Sequence, residues 1–274
     1  MDDNAELVAE LVRAGIARHE ARWLVQEFVP GGDLEALDAL RAASERRLAG
    51  EPLQYIIGHW PFRSLDLDVD SRVLIPRPET EELVGHAMRE LADLDVVTPT
   101  ILDLGCGSGA IGLALLDELR TRGVMATLVA IDASPDALEV ARANARKHRL
   151  QRVSFLHSSW FDALDDSLRG RIDVIVANPP YVGAGEFEQL DAVLRHEPRS
   201  ALVALDLDAT AGFFDVAHII ASSLTWLNEQ GRLLVEHSHL HRDAALAAAR
   251  GAGFSSAEDL DDLAGHPRFL VARR

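Results

Sequence analysis

The 274-residue sequence has one cysteine, an excess of acids over bases and no long uncharged hydrophobic run. The single Cys106 excludes an internal disulfide framework and suits a reducing compartment. A net charge of −17 makes nonspecific attraction to a nucleic-acid backbone unfavourable. No uncharged stretch approaches the roughly 18 residues that a membrane-spanning helix needs, and acids interrupt the first apolar positions, so neither a span nor a signal peptide is expected. We therefore expect a soluble, cytoplasmic protein without nucleic-acid or membrane partners.

Residues 1–58 are predicted to form a small helical domain. Apolar residues recur there at helical spacing in three groups: Leu7, Val8, Leu11 and Val12; Trp23, Leu24 and Phe28; Leu34, Leu37 and Leu40. The pattern changes in residues 59–76, where Leu65, Leu67 and Val69 alternate with aspartates as in a half-exposed hairpin. We expect this hairpin to connect the helical domain to the rest of the chain.

Residues 77–274 alternate between strand and helix patterns, and they are predicted to form an α/β domain. The acidic stretch 78–82 is typical of a helix start, and Ser134 followed by Pro135 is typical of an N-cap and a first helical residue. Strands are predicted at 100–105, 126–132, 152–157, 171–178, 231–238 and 268–274, and helices at 110–120, 134–148, 211–227 and 242–253. This alternation implies a mainly parallel sheet covered by helices on both faces.

The sequence ILDLGCGSGAIG (101–112) places three glycines between a predicted strand and a predicted helix. Gly105, Gly107 and Gly109 allow a tight turn that a ligand can approach closely, which predicts a nucleotide-like cofactor. Asp132 closes the next strand, where a carboxylate can accept hydrogen bonds from both hydroxyls of a ribose. Because Gly107, Gly109 and Gly112 also fit G-x-G-x-x-G, these features alone leave both NAD and S-adenosylmethionine open.

The sequence NPPY (178–181) follows the fourth strand of the alternating unit, at the edge of the sheet where ligands bind. Its two prolines fix the backbone and lack N–H donors, so the turn presents carbonyl groups in a set direction. The side-chain carbonyl of Asn178 and the backbone carbonyl of Pro179 then supply two acceptors, which suit an NH2 group. Tyr181 offers a flat face for the planar group that carries this nitrogen. The motif favours a methyltransferase that acts on an NH2 group, with Asn178, Pro179 and Tyr181 as catalytic residues.

At this point the chain resembles the HemK-type glutamine-N5 methyltransferases, which modify peptide chain release factors. The resemblance covers nearly the whole sequence, and five stretches carry it in order: LIPRPETEELV (74–84), DLGCGSGAIGLAL (103–115), IDASPDALEVARANA (131–145), NPPYV (178–182) and HEPRSAL (196–202). It implies a Rossmann-like methyltransferase domain that binds S-adenosylmethionine. It also implies that the N-terminal helical domain docks the release factor.

The resemblance further implies a role for individual residues. Those assigned to the cofactor are Gly105, Cys106, Gly107, Ser108 and Gly109 at its methionine end, Asp132 at the ribose, Trp160 at the adenine, and Asn178. Those assigned to the glutamine of the release factor's Gly-Gly-Gln loop are Asn178, Pro179, Pro180 and Tyr181. Two positions depart from the family pattern. Ser159 stands where an aspartate is common, and His237-Ser238-His239 replaces a stretch with a glycine, which is expected to narrow the pocket.

Several alternatives stay open at the level of sequence. The NH2 target could be a ribosomal-protein glutamine or a nucleic-acid adenine, although the acidic charge disfavours the latter. G-x-G-x-x-G also suits an NAD-dependent oxidoreductase, and the two departures suit a cofactor-binding module without catalysis. The alternation of His237, His239 and His241 suggests a zinc site, but no carboxylate or thiolate completes a ligand set, so no metal is expected. Cys106 is interpreted as a small turn residue because no motif supplies it with a base.

Overall fold

The computed structural model of the protein describes residues 3–30, 37–205 and 212–274. Leu34 and Ala211, which fall in predicted helical stretches, lie outside these ranges. The N-terminal helices are α1 (Asp3–Arg13), α2 (Arg18–Phe28), α3 (Leu37–Leu48) and α4 (Leu53–Ile57). They enclose a hydrophobic core of their own, which includes Leu11, Leu24 and Leu40, so the predicted helical domain is confirmed. Its boundary at residue 58 stays a prediction.

The predicted hairpin is also present. It pairs β1 (His59–Phe62) with β2 (Leu65–Asp68) in antiparallel register. Leu65 and Leu67 are buried while Asp66 and Asp68 are partly exposed, as the alternation predicted. The hairpin contacts both neighbours: the rings of Trp60 and Trp23 on α2 stack at 4.7 Å, and the two aspartates bind Lys147.

The remaining strands form one seven-stranded sheet. They are β3 (Thr100–Leu104), β4 (Thr127–Asp132), β5 (Val153–His157), β6 (Ile172–Ala177), β7 (Leu227–Glu236), β8 (Ser256–Asp261) and β9 (Pro267–Arg273). Their order is β5-β4-β3-β6-β7-β9-β8; the first five are parallel, and β9 runs antiparallel to both of its neighbours. The predicted mainly parallel sheet is therefore confirmed.

Helices cover both faces of this sheet. They are α5 (Pro78–Ala92), α6 (Ala110–Thr121), α7 (Pro135–Lys147), α8 (Arg199–Leu202), α9 (Phe214–Ser223) and α10 (Arg242–Ala252). Alternate residues of β6 point to opposite cores: Val174 packs with α5, α6 and α7, and Ile175 packs with α9 and α10. Ser134 caps α7 by accepting a hydrogen bond from the Ala137 N–H, as predicted. Within the described ranges, no helix has both the length and the apolar character needed to span a bilayer.

Three parts of the C-terminal prediction were wrong. The helix predicted to reach residue 227 ends at Ser223, because Leu227 belongs to β7. β7 begins at Leu227 instead of Gly231, because Leu227 already pairs with Ile172 before a shift of register in β6. It ends at Glu236 instead of Ser238. β8 was not predicted at all. Its sequence, SAEDLD, is rich in acids, which are poor strand formers, but β8 lies at the edge of the sheet, where charged side chains stay exposed or pair with arginines.

The strand order positions the functional site. β3 continues to β4 and β5 on one side, and the chain then crosses to β6 on the other side of β3. At such a reversal the connections leave the sheet in opposite directions, so a crevice opens at the carboxyl ends of the strands. Gly105, Asp132 and Asn178 follow or close β3, β4 and β6, and all three therefore lie at this crevice.

A buried amide ties the hairpin to the first of these turns. The Asn144 side chain, on α7, accepts a hydrogen bond from the Asp68 N–H at 2.7 Å. It donates to the Asp68 carbonyl at 3.1 Å and to the Ser108 carbonyl at 2.9 Å. Asn144 is fully buried, so water does not compete for its three hydrogen bonds to the backbone. One side chain therefore joins β2, α7 and the glycine turn.

Replacing Asn144 with alanine should lower the free energy of unfolding by about 2 to 3 kcal/mol, because buried backbone groups lose their partner. The measurement is urea denaturation followed by circular dichroism. Arg146→Ala, an exposed substitution on the same helix, is the control and should change stability by less than about 0.5 kcal/mol. Equal midpoints for the two variants would contradict the bridging role of Asn144.

Candidate functional site

A cavity of about 520 Å³ opens at the carboxyl ends of β3, β4 and β6. This volume lies in the range of small-molecule sites. The structure brings together six of the predicted site residues in its wall: Gly105, Gly107, Asp132, Trp160, Asn178 and Pro180. The cavity wall also contains residues that the sequence did not point to, among them Arg72 and Asp215.

The glycine turn forms the floor of the cavity. Gly105 and Gly107 have φ angles of 71° and 53°, which disfavour any residue with a Cβ. A Cβ at Gly105 would lie 3.4 Å from the Trp160 ring, so the glycine lets the indole pack directly on the turn. A Cβ at Gly107 would meet no atom within 4 Å, which leaves its backbone open to the cavity. A ligand can therefore contact the main chain here, as the motif predicted.

Cys106, Ser108 and Gly109 shape this turn without lining the cavity. The Cys106 N–H donates to the Ile131 carbonyl at 2.8 Å, and burial raises the pKa of its thiol, so the thiol stays protonated. The Ser108 carbonyl accepts from Asn144. Gly109 opens α6, where a Cβ would lie 2.7 Å from Leu113. Direct binding of a cofactor by these three residues stays a prediction.

Asp132 is fixed at the cavity wall by backbone amides. Its Oδ1 accepts from the Ser134 N–H and its Oδ2 from the Gly107 N–H, both at 2.8 Å. Burial raises the pKa of this carboxyl, and the amide hydrogen bonds oppose that rise. Each carboxylate oxygen keeps a further lone pair, so the group can still accept from two neighbouring hydroxyls. This is the geometry that a ribose requires.

Trp160 is held by an aspartate that the sequence analysis missed. The indole N–H donates to Asp215 Oδ1 at 3.2 Å, and Asp215 Oδ2 accepts from the Leu205 N–H at 3.0 Å. Asp215 lies in α9, and burial raises the pKa of its carboxyl. Its sequence signal is that of a single acid in the otherwise apolar stretch FFDV. Ser159, the first departure from the family pattern, lines the same wall.

Two segments that are distant in sequence close the cavity, and Glu197 joins them. Its buried carboxylate accepts from the Ile75 N–H at 3.0 Å and binds the Arg77 guanidinium at 2.5 Å. Val73 and Leu74 line one side of the opening, and residues of the 198–205 segment line the other. The latter segment is tied back to the NPPY turn, because Val182 exchanges backbone hydrogen bonds with Leu202 and Ala204. These contacts hold the two segments on either side of the cavity opening.

The NPPY turn is anchored from behind by two residues that the sequence analysis did not name as site residues. Asn178 Nδ2 donates to Thr80 Oγ1 at 3.1 Å, and the Tyr181 hydroxyl donates to Glu236 Oε1 at 3.4 Å. Asn178 lines the cavity, whereas Pro179 and Tyr181 do not, so the direct parts assigned to them stay predictions. Thr80 lies in the quoted stretch LIPRPETEELV and Glu236 directly precedes His237, but nothing in their spacing connects them to Asn178.

The histidines near β7 lie apart from the cavity. The strand ends at Glu236, and the His237 ring is fully buried with its Nε2 2.6 Å from Asp259 Oδ2. None of His237, Ser238 and His239 lines the cavity, so the expected narrowing is not seen. Because the strand has ended, the three histidines do not continue its alternation. In the part of the chain that the structure describes, no three His, Cys, Asp or Glu side chains are grouped to hold a metal ion.

The residues in the cavity fit S-adenosylmethionine. A buried carboxylate can take the ribose hydroxyls, an indole ring can pack on the adenine, and an open glycine backbone can contact the methionine end. Asn178 follows β6, and β3 separates that strand from β4, which ends at Asp132. The polar amide of Asn178 therefore lines the same cavity as Asp132, two strands away from it.

Comparison with known proteins identifies the family. A methyltransferase domain model matches residues 98–259, and the PrmC N-terminal domain matches residues 4–58. The release factor glutamine methyltransferase of Chlorobaculum tepidum is 38% identical over 95% of this chain and 87% of its own. Those of Aliivibrio fischeri and Salmonella typhimurium are 38% and 41% identical over 87% and 84% of this chain, and over 80% and 78% of their own. The chain belongs to the release factor glutamine methyltransferase family.

Solved structures agree on the fold of this family member. The hMettl16 catalytic domain superposes with a TM-score of 0.55 at 14% identity, covering 97% of this chain and 90% of its own. The T. thermophilus 16S rRNA methyltransferase RsmC, in complex with AdoMet and guanosine, gives 0.55 at 18%, covering 79% and 49%. At these identities the likeness shows the fold alone. The predicted Rossmann-like methyltransferase fold and enzyme class are confirmed, and the NAD-dependent oxidoreductase alternative is wrong.

Replacing Asp132 with alanine should weaken binding of S-adenosylmethionine by about 1.5 to 3 kcal/mol, because charge-assisted hydrogen bonds to the ribose are lost. Isothermal titration calorimetry with S-adenosylmethionine, S-adenosylhomocysteine and NAD makes the measurement. The control is Asp136→Ala, which removes an exposed carboxylate from the start of α7 and should leave the affinity unchanged. Equal affinities for the two variants, or tight binding of NAD, would contradict the assignment of Asp132.

Proposed function

We propose that this chain transfers a methyl group from S-adenosylmethionine to the side-chain amide nitrogen of the glutamine in the Gly-Gly-Gln loop of peptide chain release factors. The observation that carries the proposal is the anchored amide of Asn178 at the cofactor cavity. Its nitrogen is committed to Thr80, so its oxygen is the atom left to accept a hydrogen bond from an incoming NH2 group. The names of the relatives support the choice of a release factor glutamine.

The difficulty of the reaction is that an amide nitrogen is a weak nucleophile, because its lone pair is delocalised into the carbonyl. A glutamine side chain has two N–H donors, and two fixed acceptors would hold both of them. Asn178 Oδ1 is proposed as the first acceptor and the Pro179 carbonyl as the second. Held in this way, the nitrogen becomes pyramidal and its lone pair turns toward the methyl group.

Bound S-adenosylmethionine supplies an electrophilic sulfonium methyl, so that the N–C bond forms as the C–S bond breaks and its electron pair stays on sulfur. The methylated nitrogen would at first carry a positive charge, which makes it far more acidic than the neutral amide, and it would release its extra proton to solvent after the transfer. A strong general base is therefore unnecessary. The chain contributes mainly position, with the nitrogen held roughly 3 Å from the methyl carbon.

The N-terminal helical domain is proposed to dock the release factor. It has its own hydrophobic core, and it meets the connector of residues 59–76 through the Trp23–Trp60 stack and the Tyr55 hydroxyl, which donates to the Val73 carbonyl at 2.5 Å. Val73 lines the cavity opening, so the helical domain lies next to the cavity entrance. The net charge of −17 argues against direct nucleic-acid binding. Action on release factors also favours the cytoplasm as its location.

Asn178→Ala should lower the rate of methyl transfer by about a hundredfold to a thousandfold while leaving cofactor affinity nearly unchanged, because the lost interaction acts on orientation in the transition state. Asn178→Asp keeps an acceptor but adds a negative charge, so its loss should be smaller. The assay uses labelled S-adenosylmethionine and a bacterial release factor, with mass spectrometry to locate the methyl group. Gln151→Ala, which removes an exposed amide, is the control.

Three substrates separate the outcomes of this assay. One added methyl should lie on the Gly-Gly-Gln glutamine of the intact factor, with none on a factor whose glutamine is replaced by alanine and none on duplex DNA. Label in DNA would move the assignment to nucleobase chemistry. Label in none of the three substrates, despite cofactor binding, would support a module without catalysis.

A chain that begins at His59 should bind S-adenosylmethionine normally but methylate an intact release factor poorly, since it keeps the hairpin and lacks the docking helices. Beginning at Asp70 would instead remove Phe62, Leu65 and Leu67 from the main hydrophobic core. Kinetics with intact factor and with a Gly-Gly-Gln peptide make the comparison. An unchanged rate on the intact factor would refute the docking role, and an insoluble product would indicate that the helices only shield apolar surface.

A further inference from the structure

The amide of Asn178 is the last member of a chain of hydrogen-bonded side chains from three elements. Asn178 Nδ2 donates to Thr80 Oγ1 on α5 at 3.1 Å, and Thr80 Oγ1 donates to Glu236 Oε2 at the end of β7 at 2.8 Å. The Tyr181 hydroxyl reaches the second oxygen of the same carboxylate at 3.4 Å. We propose that Thr80 and Glu236 are positioning residues that keep the oxygen of the Asn178 amide turned toward the substrate nitrogen. The inference rests on the proposed function of this site.

The direction of the hydrogen bonds that link Asn178, Thr80 and Glu236 follows from the number of hydrogens that each group can donate. A threonine hydroxyl has one hydrogen, and an ionised Glu236 can only accept it. Thr80 is then left with lone pairs alone on its other side, so only the NH2 end of the Asn178 amide can bind it. The carbonyl end of Asn178 consequently points away from Thr80, into the cavity. A charge on Glu236 thus determines which end of a neutral amide, two hydrogen bonds away, meets the substrate.

A neutral Glu236 would remove this constraint. A protonated carboxyl can donate to Thr80, and the hydroxyl of Thr80 is then free to donate to Asn178. In that arrangement the amide turns over and presents its own NH2 group to the cavity. Two NH2 groups would then face each other, and the substrate nitrogen would lose an acceptor. The protonation state of Glu236 therefore decides between a productive and an unproductive orientation of the Asn178 side chain.

The surroundings of Glu236 make these hydrogen bonds sensitive to pH. Glu236 is 1% exposed and Thr80 is 4% exposed, so water does not compete for the hydrogen bond between them. Burial raises the pKa of Glu236 to about 7, and Glu79 adds to the rise. The hydrogen bond from Thr80, the positive charge of Arg268 and the hydroxyl of Tyr181 oppose it. Lowering the pH below about 7 should therefore protonate Glu236, and the neutral carboxyl no longer constrains Thr80 and Asn178.

A pair of substitutions at Thr80 tests the hydroxyl. Thr80→Val keeps the branched shape but leaves Asn178 Nδ2 without an acceptor, and kcat should fall by about tenfold to a hundredfold. Thr80→Ser restores the hydroxyl and should retain most of the wild-type rate. The KM for S-adenosylmethionine should change by less than about threefold in both variants, because Thr80 does not line the cofactor cavity. Equal kcat values for the valine and serine variants would overturn the proposal.

The pH profile tests the carboxylate. At saturating cofactor, the wild-type kcat should fall between about pH 8 and about pH 6, whereas Glu236→Gln should have a lower kcat that no longer changes over this range. A flat wild-type profile, or a decline that persists unchanged in the glutamine variant, would overturn the part given to Glu236. If Thr80→Val fails to unfold cooperatively in urea, this profile alone decides. Absence of release factor methylation by the wild type would instead refute the proposed function.

Discussion

The reactive end of the site depends on one buried carboxylate. Glu236 ends strand β7, and it binds one hydroxyl from α5 and another from the NPPY turn. A charge at this depth is costly, so these hydroxyls take the place of water, and in doing so they fix the turn against the helix. The prolines of the turn cannot donate to such a network. The orientation of the Asn178 side chain is therefore set by its hydrogen bond to Thr80.

At the cofactor end of the site, buried polar side chains also join segments that are distant in sequence. Asp132 joins the glycine turn to the start of α7 through backbone amides, and Asn144 joins that turn to the hairpin. Glu197 then connects the segment after the hairpin to the segment after the NPPY turn. Each of these polar side chains joins parts of the chain that are distant in sequence, so the cofactor cavity and the domain connection are built together.

Local signals made most of this predictable from the sequence. A glycine turn, the cap at Ser134 and the alternation in β2 depend on neighbouring residues, and each formed as expected. Asn178 and Asp132 were found because they end strands that share one edge of the sheet. Signals that depend on distant partners were missed. Thr80 and Glu236 are 156 residues apart, Asp215 becomes a site residue only through Trp160, and acidic β8 forms because β9 accepts it at the edge.

The proposed orientation of the Asn178 amide, with its oxygen toward the substrate nitrogen, can be observed directly. Neutron diffraction from a crystal of the deuterated protein with S-adenosylhomocysteine and a Gly-Gly-Gln peptide, grown above pH 7, locates the relevant deuterium atoms directly. We expect the deuterated nitrogen of Asn178 to face Thr80, and its Oδ1 to lie within hydrogen-bonding distance of the glutamine nitrogen. Deuterons of Asn178 facing the glutamine, or a glutamine bound away from Asn178, would contradict this expectation.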